Sequence, residues 1–173
     1  ELVVRQSCGC LSPALTQAGV EPGRPREKPW AVVVSQQRAE IVAEIVQAVD
    51  SLNPAEERAR AEQLLTGFTE AVEQRRPGHG LVSLEQILAQ VAASGGEVGK
   101  WHGALTVLRR RLLAHLAEAE AVSEAENLLQ QARLIISEAA ERFQAQLRLQ
   151  HERQVQILSQ IGQTVMTTFD TAE

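Results

Sequence analysis

Few side chains in this sequence are placed for chemistry, and the closest pair is Cys8 and Cys10 near the start of the chain. On an extended strand, two residues at this spacing point to the same face, so both thiolates could bind one metal ion. Structural zinc sites usually have four protein ligands, and no second Cys/His pair accompanies these two cysteines. We therefore predict no metal site and no bound cofactor.

A second candidate is His151, which is followed by Glu152 and Arg153 in a helical pattern. This order resembles the phosphoacceptor box of sensor histidine kinases, in which the histidine projects from a dimeric helical hairpin. Threonine and proline follow in that family, whereas Gln154 and Val155 follow here. No ATP-binding module fits in 173 residues, and the sequence lacks a phosphate-binding loop and a nucleophile elbow. We therefore predict a non-enzymatic chain, with phosphotransfer at His151 as an alternative.

The composition argues against several classes of function. With 44% hydrophobic and 23% charged residues the chain is expected to fold, and no apolar run approaches the roughly 20 residues that span a bilayer. A net charge of −5, 3% aromatic residues and no tyrosine argue against a nucleic-acid or carbohydrate cleft. The basic cluster from Arg109 to Arg111 lies in a leucine-rich helical pattern and is expected to be a solvated face. Since no signal-peptide pattern is present, we expect a cytoplasmic protein.

Residues 1–34 are predicted to be a terminal strand followed by a linker. Leu2-Val3-Val4 is a short apolar run rich in β-branched residues, which favours a buried strand. Four of the six prolines lie between residues 11 and 34, and they disfavour a helix there.

Residues 35–117 are predicted to form a small bundle of four amphipathic helices. Ser35 is placed to cap the first helix, and Asn53-Pro54 to begin the second. Ser83 and Gln86 have the spacing of a capping box and are expected to open the third helix. The fourth helix has apolar residues at steps of four and three, namely Trp101, Leu105, Leu108, Leu112 and Leu116.

Residues 118–173 are predicted to form one long helix, because from Glu120 onward they contain no proline and a single glycine. Apolar residues recur there at steps of three and four, which is the spacing of a coiled-coil seam. About fifty helical residues extend about 75 Å, far beyond a small bundle, so we expect pairing with a second copy. Folding back along the bundle is the alternative. The predicted dimer seam comprises Leu129, Ala132, Ile136, Ala139, Phe143, Leu147, Gln154, Leu158, Ile161 and Val165.

The predicted seam changes phase between Phe143 and Leu147, where an extra step of four residues occurs. Directly after this offset, Gln150, His151 and Gln154 lie at or near the seam. Polar residues in a seam reduce stability but can fix register and the number of partners. The sequence therefore predicts a long coiled-coil-forming helix with a polar segment in its middle.

Both ends of the sequence resemble parts of bacterial regulators. Residues 2–7 (LVVRQS) resemble the Leu-Val-Val-Arg-Glu-Ser motif near the end of the effector-binding domain of LacI-type repressors, which has a periplasmic-binding-protein-like fold. Residues 157–172 (ILSQIGQTVMTTFDTA) are similar to the helix that leads into many GAF domains, with Ile161-Gly162 and Phe169-Asp170 at matching positions. The resemblance implies a helical linker between an upstream sensor and a downstream GAF-containing output region.

These patterns predict an all-α chain with a short N-terminal extended segment, a helical bundle and a long dimerising helix. We expect it to transmit signals within a sensory or transcriptional regulator, as a homodimer with no direct contact to nucleic acid or membrane. The alternative is a ligand-binding bundle in which Trp101, Phe68 and the leucines line a small apolar pocket.

Overall fold

The computed structural model describes residues 29–50, 53–116 and 118–170, with side chains up to residue 156 and that of Leu158. Within these ranges the chain forms five α-helices, one 3₁₀ turn and no strand, which confirms the predicted all-α class. The predicted N-terminal strand and both cysteines lie outside the described residues. The elements are α1 (Trp30–Val49), α2 (Pro54–Glu73), α3 (Pro77–Ala93), the 3₁₀ turn (Val98–Lys100), α4 (Trp101–Leu113) and α5 (Ala119–Asp170).

Two helices begin earlier than the capping patterns predict. α1 begins at Trp30 rather than at Ser35, whose hydroxyl donates within the helix to the carbonyl of Val32 at 2.8 Å. The physical reason is burial, because Trp30 packs into the core and holds this turn in place. Similarly, α3 begins at Pro77 rather than at Ser83, since proline is well suited to the first turn of a helix.

Successive helices of the bundle alternate in direction, and the first half of α5 packs along them as a fifth member. Gly103, near the start of α4, lies against Ala48 near the end of α1, so these two helices are antiparallel. Arg109, near the end of α4, pairs with Glu126 near the start of α5. α5 then passes the loop of residues 94–100 and continues beyond it. We call this end of the bundle, which also holds the end of α1 and the start of α2, the exit end.

The core is one cluster of side chains shared by all five helices. Burial of such apolar surface, at about 25 cal/mol per Å², is the main force that holds the bundle together. The largest fully buried members are Trp101, Phe68, Ile41, Ile45, Leu64, Leu65, Leu84, Ile87, Leu105, Leu108, Leu112 and Leu129.

Gly103 is required by the close approach of α4 to α1. A Cβ atom at this position would lie 2.6 Å from the backbone carbonyl oxygen of Ala48, well inside van der Waals contact. We expect Gly103→Ala to lower the free energy of unfolding by about 1–3 kcal/mol, because the two helices must separate. This loss exceeds the helix-propensity gain of up to about 1 kcal/mol. Urea unfolding followed by circular dichroism measures the change.

Gly78→Ala is the matched control, because a Cβ atom at Gly78 in α3 meets no atom within 4 Å. It should leave the unfolding free energy unchanged or raise it slightly. Wild-type stability in Gly103→Ala would contradict the close packing of α4 on α1.

The basic cluster of α4 is paired with carboxylates and is not a freely solvated face. Arg111 bonds Glu40 at 2.8 Å and also contacts Glu44, while Arg110 bonds Glu44 at 2.9 Å. Arg109 makes a double contact with Glu126, with a shortest distance of 2.6 Å. All three guanidinium groups face carboxylates of α1 or α5. The cluster therefore links α4 to these two helices, and its charge is neutralised within the bundle.

Glu44 makes the stability of the bundle depend on pH. Hydrogen bonding from Arg111 lowers the pKa of Glu44 below its ordinary 4.5, although burial acts in the opposite direction. Folding therefore favours the charged carboxylate of Glu44. Its contribution to the free energy of unfolding is complete above pH 4.5 and is lost as the pH falls through the folded-state pKa. We expect Glu44→Gln to cost about 1 kcal/mol at pH 7, a modest value because the pair is partly solvated.

The difference in unfolding free energy between wild type and Glu44→Gln should shrink below pH 4.5. Urea titrations at pH 7 and pH 3.5 measure it, and Glu141→Gln on the exposed surface of α5 serves as the control. A difference that stays constant across this range would show that Glu44 is not stabilised by its arginine partners.

Candidate functional site on the long helix

The 52 residues of α5 divide into a buried half and an exposed half. In the first half, Leu129, Ala132 and Ile136 are buried in the core of the chain's own bundle, and Ala139 and Phe143 pack against it while partly buried. The first half of the predicted dimer seam is therefore covered by the same chain. The predicted alternative, in which the helix folds back along the bundle, describes this half.

Beyond the bundle, α5 presents apolar side chains to solvent. Every side chain from residue 144 to residue 156 is exposed. Leu147 is 47% exposed and Leu158 is 69% exposed, and Leu149 and Val155 are also large apolar side chains in contact with water. Single exposed leucines are common on proteins, so the arrangement of these side chains matters more than their number.

Leu147 and Leu158 continue the face of α5 that is buried in the bundle. Leu129 and Leu147 are eighteen residues apart, which is five turns of 3.6 residues, so they lie on the same side of the helix. Ile136 to Leu147 and Leu147 to Leu158 are both eleven residues, about three turns. The same face is therefore covered in the first half of α5 and uncovered in the second.

The phase change predicted between Phe143 and Leu147 explains how one face can run along the whole helix. Steps of three, four and four residues connect Ile136 to Leu147, an eleven-residue period close to that of a straight α-helix. A strict heptad would have drifted around the helix axis over this distance. The extra step keeps the face aligned where α5 leaves the bundle.

The remaining predicted seam residues lie on the exposed half. Gln154 is exposed, as is His151 near the same face. Ile161 and Val165 lie within α5, at steps of three and four after Leu158, and their side chains are outside the described set. This face of the second half, marked by Leu147, Gln154 and Leu158, is named the distal face.

The second predicted chemical site, His151, lies on the exposed half of α5. His151 is exposed, as are the described side chains on either side of it from residue 148 to residue 156. Within the described ranges, no group of three or more His, Cys, Asp or Glu side chains could hold a metal ion. None of the helices described is both long enough and apolar enough to cross a membrane.

The predicted apolar pocket around Trp101 and Phe68 is not formed as expected. Phe68 is fully buried in the packed core, whereas Trp101 lines a polar cavity at the exit end. Glu57 also lines this cavity and is buried. Its burial is not among the predictions from the sequence, because glutamate side chains usually lie on the surface. The helical spacing does indicate that Glu57 is buried, because it lies four residues before Ala61 and seven before Leu64 on the buried stripe of α2.

Comparison with protein families, curated proteins and solved structures finds no match to this chain. The distal face is therefore interpreted from its own geometry.

Proposed function

We propose that this chain is a non-catalytic connector that pairs with a second copy through the distal face of α5. It would transmit conformational changes between modules on either side of it in a sensory or transcriptional regulator. The observation that carries the proposal is the continuation of one apolar face of α5 from the buried core into solvent.

A second copy of the same helix is the partner that fits the distal face best. The face is a narrow stripe along one helix, and two such stripes are complementary when identical helices lie side by side. Most helix stability in proteins comes from packing of an amphipathic face, so pairing would also stabilise the backbone of α5 beyond the bundle. The resemblance of residues 157–172 to a helix that enters GAF domains supports a parallel arrangement, which would place two downstream modules side by side.

The polar residues of the distal face provide a means of transmission. His151 and Gln154 interrupt the apolar stripe between Leu147 and Leu158. A polar layer weakens pairing locally, so two registers or rotations of the helices lie close in energy. Movement at the exit end of the bundle would shift the balance between them, and the change would reach whatever follows α5.

Disulfide crosslinking of single cysteines tests the pairing and its direction. With Cys8 and Cys10 replaced by serine, cysteines are introduced at Leu147, His151, Gln154 and Leu158. In a parallel dimer each of these positions faces its own copy, so mild oxidation should give covalent dimers at all four. Cysteines at Ala145, Leu149, Glu152 and Gln156, on the opposite side of α5, are the controls and should remain monomeric. Uniform failure to crosslink, or equal crosslinking at both sets, would contradict the proposal.

A further inference from the structure

The single histidine of α5, His151, lies within the distal face. It follows Leu147 by four residues and precedes Gln154 by three, and Leu158 follows after four more. At about 100° of rotation per residue, these four side chains fall within about 60° of one another around the helix axis. His151 is exposed in the single chain. It therefore belongs to the stripe through which we propose that two copies pair.

Parallel pairing through the distal face would bring two imidazole rings together. The steps of four, three and four residues from Leu147 to Leu158 give His151 a core position of a heptad. In a parallel pair each core residue lies opposite its own copy, so His151 would face the partner's His151 across the seam. Two neutral imidazoles are compatible with this arrangement, because one ring can donate a hydrogen bond that the other accepts. Two protonated rings are not, since both then only donate and both are positive.

The residues around His151 do not supply a carboxylate to the seam. Side chains three or four residues away share its side of the helix, and these are Leu147, Arg148, Gln154 and Val155. The one charged group among them, Arg148, is positive and would oppose protonation of the ring. Glu152 follows His151 directly but lies about 100° around the helix axis, on the outer side of a pair. The partner presents the same residues at the same positions, so positive charge in the seam would stay uncompensated.

We infer that His151 makes pairing through the distal face depend on pH, with a tight dimer in neutral solution and a weaker one in mildly acidic solution. Histidine is the residue whose charge normally changes between pH 5 and pH 8, and protonated histidines at interfaces act as pH switches in this way. The inference rests on the proposed pairing and adds a condition that regulates it. Acidification would separate the two helices and interrupt transmission along α5.

Sedimentation velocity of the full chain at pH 7.5 and pH 5.5, at one ionic strength, tests the pH dependence. Repulsion between two facing positive charges should raise the dissociation constant of the dimer about tenfold or more at pH 5.5. Circular dichroism at both pH values checks that the bundle stays folded. Equal dissociation constants would overturn the inference and leave the pairing intact. A single-chain mass at pH 7.5 would instead contradict the pairing itself, and the inference with it.

Two histidine variants assign the pH dependence to the seam. His151→Gln keeps a polar side chain at this position but removes the charge change, so its dissociation constant should be the same at pH 7.5 and pH 5.5. His79→Gln is the matched control, because His79 is also exposed but lies on α3 of the bundle. It should show the same pH dependence as the wild type. Full pH dependence in His151→Gln, or its loss in His79→Gln, would overturn the assignment to His151.

Discussion

Replacing Leu147 and Leu158 together with glutamate is expected to convert a dimer into a monomer. Burial of a leucine side chain stabilises by about 2 kcal/mol, and a dimer would lose four such contacts and gain facing carboxylates. Because 1.4 kcal/mol is a factor of ten, the dissociation constant should rise at least about a thousandfold. Sedimentation velocity over a range of protein concentrations measures the change.

Leu149→Glu is the matched control for this double variant. Leu149 is 54% exposed, close to the 47% of Leu147, but it lies on the opposite side of α5. It should leave the dissociation constant nearly unchanged. Since all three leucines are outside the core, each variant should still fold, with the helical circular dichroism spectrum of the wild type. An equal effect of Leu149→Glu and the double variant would show that exposure in general, and not the distal face, drives association.

Ile136→Ala is expected to destabilise the bundle of a single chain. Ile136 is fully buried against the chain's own helices, and truncating such a side chain costs about 2–5 kcal/mol through lost burial and the cavity left behind. Urea unfolding should show this loss equally at low and high protein concentration. The dissociation constant of the dimer should change little, because Ile136 does not face a second copy.

Leu134→Ala is the matched control in the same helix. Leu134 is 65% exposed, so its truncation should change the unfolding free energy by less than about 0.5 kcal/mol. If the loss in Ile136→Ala depended strongly on protein concentration, Ile136 would have to lie at a subunit interface, and the division of α5 into two halves would be incorrect.

The sequence was sufficient to predict the fold class but not which surface covers α5. Steps of three and four residues place Leu129, Ile136 and Leu147 on one face, and this spacing is the same whether the cover is the chain's own bundle or a second copy. Only the packing of α5 against α3 and α4 distinguishes the two cases. The predicted seam is therefore an intramolecular core up to about Phe143, and its second half stays a prediction.

Helix ends and the polar cavity show a different reason for incomplete prediction. Capping patterns at Ser35 and Ser83 are local signals, whereas the burial of Trp30 is a tertiary effect that extends α1 by a full turn. Glu57 and Trp101 come from different helices and line the same cavity only in the folded bundle. The spacing of apolar residues can place each of them on the buried stripe of its own helix. It does not show which residues of the other helices lie next to that stripe.

The most direct test of the central claim is the mass of the unmodified chain in solution. Sedimentation equilibrium at protein concentrations from about 1 to 100 μM would determine it. Pairing through the distal face predicts twice the mass of one chain at the upper end of this range. A single-chain mass at every concentration would contradict it, because the apolar face beyond Phe143 would then have no second copy to cover it.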